Sequence, residues 1–220
     1  MNNILFVTDI FLVIILVLVV LFILIYAATN SDNDYSDTID QPKSFSDRLE
    51  IKRVGNEGEF IVSEKLNFLK QKYECELITN FKFIDQYGKE VEIDQILITQ
   101  AMVYVIETKN WFGVIRGNEK EEKWYKYHNN YFTDLRNPIM QNERHIRKLK
   151  NMLGNNPPKI QSIIIILEGD FSNIDSNKLY TLNDAIDKIE QDIILDKKSH
   201  SSNYVKNMYQ RILNINNGLN

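Results

Sequence analysis

Three ionisable residues, Asp94, Glu107 and Lys109, sit inside two runs rich in Val, Ile and Tyr, residues 91–99 and 102–108, that otherwise read as buried β-strands. Side chains two apart on a strand share a face, so Glu107 and Lys109 can act together. A hairpin-like reversal near Gln100 and Ala101 would bring Asp94, on the preceding strand, alongside Glu107. Two carboxylates suit a hard cation such as Mg²⁺, which completes its shell with substrate phosphate and water. An adjacent ammonium could hold and polarise a water there. The same spacing also fits an ordinary cross-strand ion pair on a solvated face, and in isolation that is the commoner meaning of such a pattern.

The elements that must position these groups follow from periodicity. Residues 45–73 read as a helix with Ile51, Val54, Val62, Leu66 and Leu69 on one stripe. Glu59 falls on or beside that stripe, three before Val62 and seven before Leu66, so it is expected to face inward. Gly55 and Gly58 flank it, and glycine within a helix costs about 1 kcal/mol relative to alanine. Close approach of another backbone or a ligand would justify that cost. Residues 76–85 read as a strand followed by a turn at 86–89, and 110–117 as a loop and short strand leaving the site. Residues 124–127 and 131–133 form a hairpin around His128, Asn129 and Asn130. Its aromatics are the kind that stack bases, but packing on the sheet is the first expectation.

Asn137 and Pro138 open a helix ending at Leu153, with Gly154 as its stop. Ile139, Ile146, Leu149 and Leu153 mark its inner stripe. Gln141, His145 and Lys148 lie on an adjoining face, with Arg144, Arg147 and Lys150 nearby. This basic patch could bind phosphates, or be only the solvated side of an amphipathic helix. Residues 160–167, without alternation, read as a strand buried on both faces, typical of a parallel or mixed sheet between helices. Helices over 182–194, with Thr181 and Asp184 in a capping pattern, and over 204–215 close the chain.

Length and composition bound the rest. The 220 residues allow one ordinary domain and an appendage. Residues 10–28 are 19 consecutive uncharged, mostly aliphatic positions, enough for a helix of about 28 Å that crosses a bilayer. The leader carries Asp9 and no Lys or Arg, which suits an uncleaved anchor better than a signal peptide. Residues 29–48 are a polar, acidic spacer, and the bases Lys43 and Arg48 favour a cytoplasmic main domain in a single-pass cell-membrane protein. The chain carries a net charge of −4, yet residues 51–220 hold 24 Lys and Arg against 23 Asp and Glu, a net of +1. A polyanion is therefore not repelled, but any nucleic-acid contact must come from a local patch. One cysteine excludes an intrachain disulfide framework. His128, His145, His200 and Cys75 lack zinc-ligand spacing, and no glycine-rich phosphate loop indicates a nucleotide cofactor.

Four segments in order, GNEGE (55–59), EIDQILI (92–98), VYVIETKNWFG (103–113) and NPIMQNERHIRKL (137–149), resemble the nuclease-related domain (NERD) family, which looks like a branch of the PD-(D/E)xK restriction-endonuclease-like superfamily. Four ordered motifs are far more specific than the D…ExK pattern alone. The resemblance implies an α/β fold: a restriction-endonuclease-like central mixed β-sheet flanked by helices, here preceded by one transmembrane helix at 4–28. The nuclease core would occupy 49–155, with 156–220 completing the domain. It further implies a Mg²⁺- or Mn²⁺-dependent phosphodiesterase acting on nucleic acid, with DNA as the expected substrate. Asp94 and Glu107 would be metal ligands, Glu59 a further ligand or support, Lys109 the group that positions the attacking water, and Gln141 a residue orienting a ligand or touching phosphate. Arg144, Arg147, Lys148 and Lys150 would hold the backbone of the nucleic acid. Gln100 and Ala101 depart from the glycine turn common in the family, and Thr108 from an aliphatic. The alternative is a non-catalytic module that binds nucleic acid or protein beside the membrane.

Overall fold

Strand alternation and helix periodicity combine in the computed structural model into a seven-stranded sheet covered on both faces. It describes residues 20–21, 45–128, 131–196 and 201–215, and everything below concerns Ile39–Asn220, one of the two units into which the chain divides. Helix α1 (Phe45–Lys72) is followed by strands β1 (Glu76–Ile84), β2 (Glu90–Ile98) and β3 (Val103–Arg116). Then come the hairpin β4 (Lys123–His128) and β5 (Tyr131–Arg136), and helix α2 (Pro138–Leu153). Strands β6 (Ile160–Asp170) and β7 (Leu179–Tyr180) and helices α3 (Leu182–Leu195) and α4 (Ser202–Asn214) complete it.

Strands β1 to β5 are antiparallel neighbours in order, whereas β6 runs parallel to β3 on one side and to β7 on the other. The expected mixed sheet between helices is thus present. The apolar run of β6 explains its missing alternation: Ile163 and Ile165 face the α1 and α3 side, with Val62, Leu66, Ala185 and Ile189, while Ile164 and Ile166 pack on the other side with Ile115, Trp124 and Ile139. Helices α2 and α4 cover Ile96, Ile98, Val103 and Val105 through Ile146, Leu149, Val205 and Met208. Each fully buried Leu or Ile contributes about 1.5–3 kcal/mol.

Local expectations are met where a specific interaction supports them. Asn137 caps α2, its Oδ1 accepting from the backbone N–H of Ile139 at 2.9 Å, while its Nδ2 donates to the carbonyls of Asn118, Glu119 and Glu121. The turn at Gln100 and Ala101 needs no glycine, because the Thr99 hydroxyl accepts from the N–H groups of Ala101 and Met102, each at 3.1 Å. One expectation changes. Residues 110–116 are not a loop and short strand but the second half of β3, which continues through a bulge between Lys109 and Phe112. Helix α1 begins at Phe45, where the helix over 45–73 was expected to start. Among the described residues no helix is long and apolar enough to cross a membrane. The span expected at 4–28 lies outside the described residues apart from Val20 and Leu21.

Candidate active site

Strand β3 is where the sheet forks. Along one edge it pairs with β6 from Val103 to Val114. Its other edge pairs with β2 only through Ile106 and with β4 only from Val114. Between them lies a notch, and Glu107, Thr108 and Lys109 occupy it. Asp94 is one residue beyond the last β2 to β3 pair, Gln95 with Ile106, which places it beside Glu107 as the hairpin reading expected. Its Oδ2 accepts from the Thr108 backbone N–H at 2.8 Å, substituting for the ladder bond that the fork removes.

Glu107 is 2 % exposed. Lys109 Nζ stands 2.8 Å from its Oε1 and His145 Nδ1, from α2, 3.5 Å from its Oε2. Neither that Oε2 nor His145 Nδ1 has a hydrogen-bond partner. Burial alone would raise the Glu107 pKa, but the charge of Lys109 and the contact with His145 outweigh it and hold the carboxyl at about 2. Asp94 moves the other way. Burial and the Glu107 charge push it well above its ordinary value, against the opposing pull of Lys109 and the Thr108 N–H. Glu59, half-buried on α1, is raised by burial and by the charges of Glu92 and Glu107, and lowered by Lys109. Three carboxylates and one ammonium thus share a single field, with two of the carboxyls pushed apart in pKa.

Helix α1 reaches this notch through its glycine. A Cβ on Gly58 would lie 2.9 Å from Asn110 Cβ and 3.1 Å from Leu167 Cδ1, so close approach of β3 and β6 accounts for that glycine. Gly55 meets nothing within 4 Å. Asn110 Nδ2 donates to the Val54 carbonyl at 3.0 Å. Gln95, fully buried, joins the same layers: its Nε2 donates to the Glu59 carbonyl at 3.2 Å, and its Oε1 accepts from the Thr108 hydroxyl at 3.0 Å.

The arrangement suits a divalent cation in one respect and limits it in another. Asp94 is strained as an anion and Glu107 keeps a buried oxygen without a partner, and positive charge placed between them would relieve both. Among the described residues no group of three His, Cys, Asp or Glu side chains is placed to hold a metal. Asp94 and Glu107 could supply at most two carboxylate ligands, a number with which Mg²⁺ can be bound. Glu59 shares their field from α1.

His145 was read as part of the basic face of α2, one turn after Gln141, and not as a neighbour of Glu107; Asn142 was not singled out at all. Asn142 Nδ2 ties that helix to the sheet, donating to the Val105 carbonyl at 2.8 Å and to Ser162 Oγ at 2.9 Å. Gln141 is half-buried on the turn preceding His145. The expected basic strip is divided: Arg147 is exposed, Arg144 and Lys150 are half-buried, and Lys148 is engaged with Asp85 Oδ2 at 3.2 Å.

A family model described as nuclease-related domain matches residues 54–167, just over half the chain and including the part of β6 that flanks Glu107 and Lys109. The chain is 32 % identical over 106 residues to an uncharacterized protein of Bacillus anthracis, a match covering 48 % of this chain and 50 % of that protein. It thus spans about half the length of this curated relative. No solved structure matches it.

Proposed function

The chain belongs to the nuclease-related domain family, and we propose from this that it is a metal-dependent nuclease hydrolysing phosphodiester bonds of DNA at the notch in β3. The observation that carries the proposal is the buried Glu107 between Lys109 and His145, beside an Asp94 whose ionised form is disfavoured by burial and by the Glu107 charge. The restriction-endonuclease-like architecture is part of the same reading, supported by a mixed sheet whose fork holds the D…ExK residues.

In this reading Asp94 and Glu107 hold Mg²⁺ or Mn²⁺. A divalent ion so held supplies Lewis-acid stabilisation of phosphate charge and lowers the pKa of bound water. Lys109, 21 % exposed at its side chain, orients the attacking water and places positive charge against the phosphate. His145 Nδ1 lies 3.5 Å from the far oxygen of Glu107 and helps to keep that carboxyl ionised. Glu59, on α1 in the same field, would be a further ligand or a hydrogen-bonding support. Gln141 and the bases Arg144, Arg147 and Lys150 line the approach along α2, with Lys148 contributing once released from Asp85. The apolar run at 10–28 supports, as a further part of the proposal, a single-pass tether with the domain on the cytoplasmic side, testable by membrane fractionation and protease protection.

A second reading, a binding module without turnover, rests on the Lys109 to Glu107 pair, which neutralises one carboxylate with no cation. The two separate in one experiment. The full chain in detergent is titrated with Mg²⁺ or Mn²⁺ over plasmid and single-stranded DNA, beside Asp94→Asn. Metal-dependent cleavage by the wild type alone supports the nuclease. Binding of DNA without cleavage under every metal condition supports the module.

A further inference from the structure

Asp94, Glu107 and Glu59 share one field but are placed by different means. The first two sit on neighbouring strands, whose ladder, ending at Gln95 and Ile106, sets their separation. Glu59 is carried by α1, and a helix lying on a sheet is held by the contacts beneath it. Most of that layer is apolar, with Val62 and Leu66 packed among Leu97 and Ile106. Asn110 and Gln95 interrupt it. Asn110 holds the turn before Glu59 through the Val54 carbonyl at 3.0 Å. Gln95 holds the turn that bears Glu59. It is fully buried and, as the residue after Asp94 on β2, points to the opposite face, towards α1. Its Nε2 donates to the Glu59 carbonyl at 3.2 Å and to Ser63 Oγ, one turn on, at 3.4 Å. Its Oε1 accepts from the Thr108 hydroxyl at 3.0 Å, and the Thr108 backbone N–H donates to Asp94 Oδ2 at 2.8 Å.

We propose that Gln95 is a positioning residue: anchored by the Thr108 hydroxyl, it fixes Glu59 relative to Asp94 and Glu107. The proposal rests on the metal-dependent reading for what Glu59 does there. Packing alone does not require an amide in this layer, because replacing both partners of a buried hydrogen bond by apolar groups of the same shape is nearly neutral for stability. What the pair adds is direction. A methionine and a valine would fill the same space without specifying where along β2 the Glu59 turn lies. The hydrogen bonds do specify it, since two acceptors one turn apart on α1 meet a single amide whose other end is held by β3. Partners of this kind, one step behind the groups that meet a metal, account for about 10–100-fold in metal affinity or activity.

The test measures the urea midpoint and the Mn²⁺ dissociation constant, the latter by electron paramagnetic resonance, on the full chain in detergent. The wild type is compared with Gln95→Met/Thr108→Val, with Glu59→Gln and with the triple substitution. The double variant keeps the Thr108 N–H for Asp94 and the shape of both side chains, so its midpoint should stay close to the wild type's. It should nonetheless bind Mn²⁺ about 10–100-fold more weakly, as should Glu59→Gln, and the triple substitution should cost little more than either, since both act through one group. Thr108→Ser gives a second comparison that does not depend on the double variant's fold: it keeps the hydroxyl and should hold Mn²⁺ as the wild type does, whereas Thr108→Val alone should not. The proposal is overturned if the double variant or Glu59→Gln binds Mn²⁺ like the wild type, if their losses add in full, if affinity falls only in step with the midpoint, or if serine at 108 fails as valine does. Plasmid cleavage on the same samples separates this proposal from the nuclease reading. Coupled losses of Mn²⁺ affinity without cleavage by the wild type sink the nuclease and leave the positioning role. Cleavage with Mn²⁺ affinity indifferent to Gln95 and Thr108 sinks the positioning role alone, and a wild type that binds no Mn²⁺ sinks both.

Discussion

Replacing Lys109 with methionine tests what holds the site together before any metal arrives. Methionine keeps most of the apolar stem but leaves the Glu107 carboxylate, 2 % exposed, without the ammonium 2.8 Å away. Removing one partner of a buried pair costs about 3–5 kcal/mol, because the remaining charge is uncompensated. Lys109 is itself 21 % exposed at its side chain, so the lower end, roughly 3 kcal/mol, is expected at pH 7. The pH dependence carries a sign. In the wild type the Glu107 pKa lies below its unfolded value, so its contribution is present above the ordinary carboxylate range and is lost as pH falls towards about 2. In Lys109→Met burial is left dominant, the pKa rises, and stability falls as pH increases through the raised value. The deficit must therefore be larger at pH 7 than at pH 4. Urea denaturation followed by the fluorescence of Trp111 and Trp124 reads it, and Glu107→Gln in the same chain should remove most of the deficit. A loss of under about 1 kcal/mol, or one that Glu107→Gln does not reduce, would refute the reasoning.

Asp94→Asn should raise the urea midpoint at pH 7 while removing a proposed ligand: the carboxyl's raised pKa means that the wild type loses stability as pH rises from the ordinary carboxylate range through the raised value, and asparagine can still accept from the Thr108 N–H. A lower midpoint at pH 7 would count against that burial argument. The two helical glycines should respond in opposite directions. Gly55→Ala, with open space around it, should stabilise by about 0.5–1 kcal/mol, and Gly58→Ala, meeting Asn110 Cβ at 2.9 Å, should destabilise by about 1–3 kcal/mol, both read as denaturation midpoints. Asn137→Ala should cost about 2 kcal/mol through the lost cap, and more if the three carbonyls it serves are left dry, with amide exchange at Ile139 and Met140 accelerating first.

The helices and strands were largely legible because their signals are local. The 3.6-residue stripe of α1, the Asn-Pro start and Gly stop of α2, and the unalternating β6 each carry their own physical cause. What was not legible depends on pairing across distance. The fork in β3 arises because β2 leaves at Ile106 and β4 joins at Val114, and nothing within residues 107–113 announces either event. The glycines at 113 and 117 suggested a loop and short strand, whereas pairing to β6 keeps β3 going. The carboxylates and lysine were readable as charges on apolar strands, and Glu59 as an acid on a buried stripe. His145 was readable only as part of the basic face of α2, because a lone histidine on an amphipathic helix gains its further meaning from the Glu107 opposite it. Lys148 shows the converse: its place in a basic run gave no hint of Asp85, whose partnership depends on the turn after β1.

The central claim separates metal binding from chemistry, and one paired measurement addresses it: Mn²⁺ binding by electron paramagnetic resonance beside single-turnover cleavage of DNA, for the full-length wild type, Asp94→Asn and Lys109→Met. The account predicts that the wild type binds and cleaves, that Asp94→Asn loses both, and that Lys109→Met retains Mn²⁺ but does not cleave. Cleavage surviving in Asp94→Asn, or undiminished in Lys109→Met, would contradict it.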